Sequence, residues 1–184
     1  MSLETHLRVS PKSEMDLFWV GLRQNTDFVS WPELLVRAAR SGEWKWDSKC
    51  GLQRRDGKCH VLVRLNFSQV LVARTFEDGC LAIARAVRDL RLCADGAVHV
   101  THHVYAGSLQ KTCDLRATVA KALEEGMDVG YDPEVTPALQ WKPSCSLTAE
   151  LYPTGKMRLK VRGSDPLPDE EILRISETLR RLSG

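Results

Sequence analysis

Residues Lys156–Arg162 alternate without interruption: Lys156, Arg158, Lys160 and Arg162 take one parity, and Met157, Leu159 and Val161 take the other. A period of two with one apolar face is the pattern of a half-buried strand, and the preceding segment 146–152 reads as its hairpin partner. Four like charges on one strand face need open water or an anionic partner. Elsewhere the pattern predicts a strand over 15–23, then a helix opening at Ser30-Trp31-Pro32, with serine as N-cap and proline in the first turn. Asp56-Gly57 centres a hairpin between 51–55 and 59–66. A strand over 69–75 leads to a helix over 77–90, with Leu81, Ile83, Ala84, Val87 and Leu90 as its apolar stripe. After Cys93-Ala94-Asp95-Gly96 the order begins again: a strand over 97–105, a helix over 113–125, a hairpin over 139–142 and 146–152, the strand Lys156–Arg162, and a closing helix Asp169–Leu182.

The two rounds keep step at the residue level. Trp44 and Tyr131, Asp47 and Glu134, Leu52 and Leu139, and Val70 and Met157 are each separated by 87 positions. A constant offset through several elements marks an internal duplication. Two copies of strand, helix, a run of strands and a helix predict an α+β unit with pseudo-two-fold symmetry, helices on one face of an antiparallel sheet and the other face open. The expected division is a disordered segment over 1–14, a first repeat over 15–92 and a second over 93–184.

Composition narrows the function classes. At 184 residues, 43% hydrophobic and 27% charged, the chain can bury a sizeable core. No apolar run approaches the roughly 20 residues a bilayer helix requires, so no membrane partner is expected. The six cysteines form no C-x-x-C pair and read as reduced thiols, with Cys50 and Cys59 able to face each other across a hairpin. His99, His102 and His103 lack ligand spacing, so neither metal nor cofactor is expected. No nucleophile or carboxylate constellation points to catalysis. A net charge of +2 is too small to imply nucleic acid by itself, which leaves the distribution of charge to decide.

Tyr131-Asp132-Pro133-Glu134, Pro137-Ala138-Leu139 and Thr154-Gly155-Lys156-Met157, ending at Ser164, resemble the repeat of the TATA-box-binding proteins. The first repeat is more worn, with Trp44 at the tyrosine position, then Gly51-Leu52 and Ser68-Gln69-Val70. The resemblance implies a TBP-like saddle: one curved ten-stranded antiparallel sheet, its concave face on the DNA minor groove, with four helices on the convex side. That family is a standard example of minor-groove bending, in which apolar wedges part base steps.

Carried onto this sequence, the resemblance puts Lys142, Thr148, Tyr152, Thr154, Lys156, Arg158 and Lys160 on the groove face of the second repeat. In the first it puts Arg55, Leu65, Gln69, Leu71 and Ala73 there, with a one-residue shift exchanging Leu65 for Asn66. The family's wedge phenylalanines correspond to Lys49 with Leu65, and to Thr136 with Tyr152. Lysine and threonine cannot part bases by burying apolar area, so weaker kinking and weaker TATA selectivity are expected. Phe67 is a candidate replacement wedge. Glu150 would oppose an anionic ligand unless Arg158 or Lys156 neutralises it.

The worn pattern is similar to divergent TBP-related factors, in particular those of kinetoplastid protists. It implies a nuclear, non-enzymatic initiation factor that binds double-stranded promoter DNA beside other promoter-recognition subunits. Asp132 and Glu134 match positions that dock the IIB-type factor. Trp44, Trp46 and Asp47 occupy the loop near the IIA-type factor, where exposed tryptophans would be anchors; Trp44 and Trp46 could equally pack beneath the loop. The alternatives are a protein-interaction platform of the same fold without independent DNA binding, and an accessory domain of a nucleic-acid enzyme. The basic strand face could also be merely solvated.

Overall fold

The computed structural model describes residues 15–184, so the expectation for 1–14 lies outside the described residues. The first half of the chain runs β1 (Met15–Thr26), α1 (Trp31–Ser41), β2 (Lys45–Asp47), β3 (Gly51–Asp56), β4 (Cys59–Arg64), β5 (Phe67–Ala73) and α2 (Phe76–Asp89). The second repeats that order with β6 (Ala94–Ser108), α3 (Leu115–Glu124), β7 (Val129–Gly130), β8 (Leu139–Ser144), β9 (Leu147–Leu151), β10 (Lys156–Arg162) and α4 (Asp169–Leu182). All ten strands form one antiparallel sheet in the order β2-β3-β4-β5-β1-β6-β10-β9-β8-β7. Exchanging each strand for its counterpart in the other half reverses that list onto itself. The α+β unit expected from the duplication is the observed architecture, and its single ten-stranded sheet is that of the saddle the resemblance implies.

Local chemistry accounts for the element ends. Pro32 stands in the first turn of α1, where a missing N–H costs nothing, although Ser30 at the N-cap makes no side-chain cap bond. Thr75 and Asp114 do cap α2 and α3, accepting from Asp78 N and from Arg116 N and Ala117 N. The β3–β4 hairpin pairs Asp56 with Cys59, so its turn is Gly57-Lys58, one residue later than Asp56-Gly57. Gly57 has φ +57, a left-handed conformation that glycine adopts without a Cβ clash. Leu52 lies opposite Val63, so Cys50 and Cys59 do not face each other.

Each half has its own core between the sheet and a pair of helices. Leu22, Leu34, Leu52, Val61, Val63, Val70, Ile83 and Leu90 fill the first; Leu139, Leu151, Met157, Leu159, Ile175 and Leu179 fill the second. On α2 the buried residues are Gly79, Ala82, Ile83 and Ala86, while Leu81 is 56% exposed and Ala84 also faces out. The stripe read from the sequence is therefore rotated, because small residues let the helix sit close to the sheet. The middle strands tie the halves together. Met15 of β1 belongs to the second core, and Val98 and Val100 of β6 pack against the first.

Candidate nucleic-acid interface

The face of the sheet opposite the helices is assigned strand by strand from the side chains that enter the cores. On β10, Met157, Leu159 and Val161 are buried, so Lys156, Arg158, Lys160 and Arg162 stand on the open face. On β9, Leu147, Ala149 and Leu151 are buried, which turns Thr148 and Glu150 outward. Trp141 is buried on β8, leaving Lys142 exposed on the open side. The register lines these residues into rows, Glu150 beside Arg158 and Thr148 beside Lys160. Lys156 and Lys160 make no ion pair among the described residues.

Arg158 is held in place before any ligand arrives. Its guanidinium lies 3.5 Å from Glu150 and over the rings of Trp19 and Tyr152, at 5.6 and 5.7 Å from their centroids. The Tyr152 hydroxyl donates to Glu150 at 3.0 Å. Burial, then the Glu150 carboxylate, pushes the Tyr152 hydroxyl pKa above its usual value. Glu150 is thus occupied by Arg158 and Tyr152, with little repulsion left for an anionic ligand. Thr154 follows Tyr152 in the exposed β9–β10 turn, where the Tyr152 carbonyl accepts from Gly155 N.

In the middle strands, the His102 ring covers Gly21. A Cβ at that glycine would come within 2.0 Å of the ring, so the slot exists only because residue 21 has no side chain. His102 contacts the Thr101 hydroxyl at 3.0 Å. Burial first and the Lys160 charge second hold its pKa below the ordinary histidine value, against a smaller opposing effect of a hydrogen bond to the Leu71 backbone.

The first half presents a different surface. Arg55, Gln53 and His60 are on the open side, with His60 and Gln53 hydrogen-bonded at 3.1 Å. Gln69 lies between Leu62 and Arg23, and the Arg23 guanidinium rests 3.9 Å above the Phe67 ring. Phe67 is therefore on the open face but capped by a cation. Leu65 is not there: it packs against the first core, because the β4–β5 hairpin pairs Arg64 with Phe67 and turns the intervening Leu65 inward. Ala73 is likewise a correction. Between the pairs Val20–Ala73 and Leu22–Val70, β5 carries an extra residue that resets its parity, leaving Leu71 half-buried and returning Ala73 to the core.

The candidate partner contacts divide similarly, and Trp46 and Asp47, expected in a loop, lie in the short edge strand β2, paired with Leu52 and Gly51. Trp44 is partly buried against the first core, with the buried Arg54 guanidinium 4.5 Å over its ring, so it is not an exposed anchor. Arg54, 7% exposed, also reaches Asp89 at 2.7 Å and Glu43 at 3.0 Å. Trp46 is 44% exposed and edge-on to Trp31 at 4.7 Å. Asp47 accepts from Lys49 N and Cys50 N, and these bonds lower its carboxyl pKa. Asp132 accepts from Glu134 N, leaving Glu134 exposed, and the Thr136 hydroxyl accepts from Ala138 N. Lys49 and Thr136 thus lie in loops off the sheet. Phe18 and Trp19, which the sequence reading did not single out, also stand on the open face. Their signal is a bulge that only the pairing reveals.

No protein-family model matches the sequence, and no curated protein matches it. Among solved structures, Methanococcus jannaschii TBP is similar with a TM-score of 0.61 and 16% identity, covering 91% of this chain and 98% of that one. A Clostridium acetobutylicum aspartate kinase overlaps with a TM-score of 0.31 and 9% identity, over 92% of this chain and 34% of that one, too loosely to carry weight. Strand order, helix placement and this likeness agree on one conclusion: the chain has the TBP-like saddle fold.

Proposed function

We propose that this protein is a non-enzymatic transcription initiation factor that holds double-stranded promoter DNA on the open face of its sheet, with 15–92 and 93–184 as its two repeats. The observation carrying this reading is the row Lys156, Arg158, Lys160 and Arg162 on the open face of a TBP-like sheet. Cations spaced along one strand neutralise successive phosphates and release counterions, which makes binding strong at low salt and weak at high salt. Bending is weaker than in a wedge-driven saddle. Of the four wedge positions, Lys49 and Thr136 are polar and in loops, Leu65 is turned into the core, and only Tyr152 offers a ring.

The proposal extends to a divergent TBP-related factor, such as those of kinetoplastids, acting in the nucleus beside other promoter-recognition subunits; the missing wedges support it. The exposed Glu134, with Asp132 shaping its turn, is the proposed IIB-type contact; Trp46 is the proposed IIA-type anchor. Electrophoretic shift on TATA and random duplexes at two salt concentrations tests the reading. The expected result is a shift on both duplexes at low salt, with little preference and a log–log salt slope of about −0.9 per phosphate neutralised. Absence of any shift at low salt would overturn it in favour of a protein-interaction platform.

A further inference from the structure

The middle of the open face carries a feature that duplex binding leaves unused. β1 and β6 pair Leu17 with Tyr105 and Trp19 with Val104, so Phe18 is an extra residue on β1. An uninterrupted strand sends neighbouring side chains to opposite faces, whereas a bulge can bring two to the same side. Here the Phe18 and Trp19 rings touch, with centroids 4.4 Å apart and planes tilted by 44°. Val20 enters the first core and Arg158 lies over Trp19, which puts the pair on the open face; Phe18 is 47% exposed.

Cations surround this doubled aromatic. The register continues from Trp19 through Val104 to Lys160, and Lys156 and Arg162 flank that row on the same strand. The row of Arg158 holds two carboxylates: Glu150, already bound to Arg158 and Tyr152, and Asp16, across Ala106; a third on this face, Asp95, lies farther along β6 beside Asn25. Phe67, farther along the same face, is covered by Arg23.

Exposed aromatics interleaved with cations on an antiparallel sheet suit unpaired bases. In a duplex each base has both flat faces stacked on its neighbours, so a ring in the groove gains stacking only by parting a step. An unpaired base has both faces free. We infer that the middle of this face binds single-stranded nucleic acid, with bases stacked on Phe18 and Trp19 and phosphates held by Lys156, Lys160 and Arg162. The inference rests on the reading of this face as a nucleic-acid interface and extends it to the kind of strand held.

Fluorescence anisotropy of the full chain tests this with a labelled oligothymidylate of about 15 nucleotides and a random duplex of about 20 base pairs. Each stacked base contributes roughly five- to hundredfold in affinity. The double variant Phe18→Ala, Trp19→Ala should therefore lose about tenfold or more on the oligothymidylate and under about threefold on the duplex. Unchanged oligothymidylate affinity, or equal losses on both ligands, would overturn the inference. If the wild-type chain binds duplex but not oligothymidylate, the inference fails and the duplex reading stands; if it binds neither, both fail. A second readout does not depend on the double variant folding: oligothymidylate should quench tryptophan emission in the wild type but much less in Trp19→Phe. Equal quenching in both would also end the case.

Discussion

The two halves of the saddle share a backbone plan but use their cations in opposite ways. In the second half, β10 directs its basic side chains away from the core, and Lys156 and Lys160 remain exposed without ion pairs among the described residues. In the first half, Arg54 is directed inward, beneath α2, where Asp89, Glu43 and the Trp44 ring surround it. The corresponding β5 strand presents Phe67, Gln69 and Leu71 in place of a basic row. A duplicated sheet needs only its helix-facing parity to stay apolar, so the open faces diverged while the fold persisted. The second half carries an unbroken basic row on its open face, whereas the first, beside the outward Arg23 and Arg55, turns Arg54 into its own packing.

The largest expected effect tests that inward arginine. Arg54→Ala leaves Asp89 without its principal partner and exposes the Trp44 ring, and should cost about 3 kcal/mol of unfolding free energy in a denaturant titration. A loss below about 0.5 kcal/mol would show that Arg54 is as superficial as the cations of β10. Next comes the seam between the halves. Gly21→Ala drives a methyl into the His102 ring and should cost about 1–3 kcal/mol. Adding His102→Ala should recover part of that loss, and strict additivity would mean that the two residues do not share the slot.

Acidification should act on the same seam. His102 and His103 both have folded-state pKa values below the usual range, with burial the first cause in each. Below about pH 6.5 the unfolded chain takes up protons before the folded one, so stability should fall progressively as pH drops from 6.5 towards the depressed values. His102→Gln with His103→Gln should flatten this part of the profile. A slope unchanged by the pair of substitutions would assign it elsewhere. The smallest stability effect belongs to β10: Lys156→Ala and Lys160→Ala should each change stability by under about 0.5 kcal/mol. Each should nevertheless reduce the magnitude of the DNA salt slope by about 1.

Strong periodicity made the second half readable. The alternation in β10 assigned each of its side chains to a face, and the helix Asp169–Leu182 was bounded from sequence as observed. Leu65 and Ala73 escaped because a hairpin and a bulge set their parity, and both depend on the partner strand rather than on local pattern. Trp44 was ambiguous for a similar reason: the cation that covers it comes from β3, across the loop. Phe18 and Trp19 went unnoticed because simple alternation sends neighbours to opposite faces, whereas the pairing with β6 sets them side by side. The strands β2 and β7, three and two residues long, carry too few positions to show any period.

Those two brief strands have a further consequence. A long row of unsatisfied amides at the end of a sheet is a template on which other chains can polymerise, and an arch with two such ends could grow into a fibre. Here the terminal ladders stop after a few rungs, and Pro143 in β8 lacks one of the donors that a newcomer would need. The two ends of the sheet therefore offer a second copy of the chain little backbone to pair with.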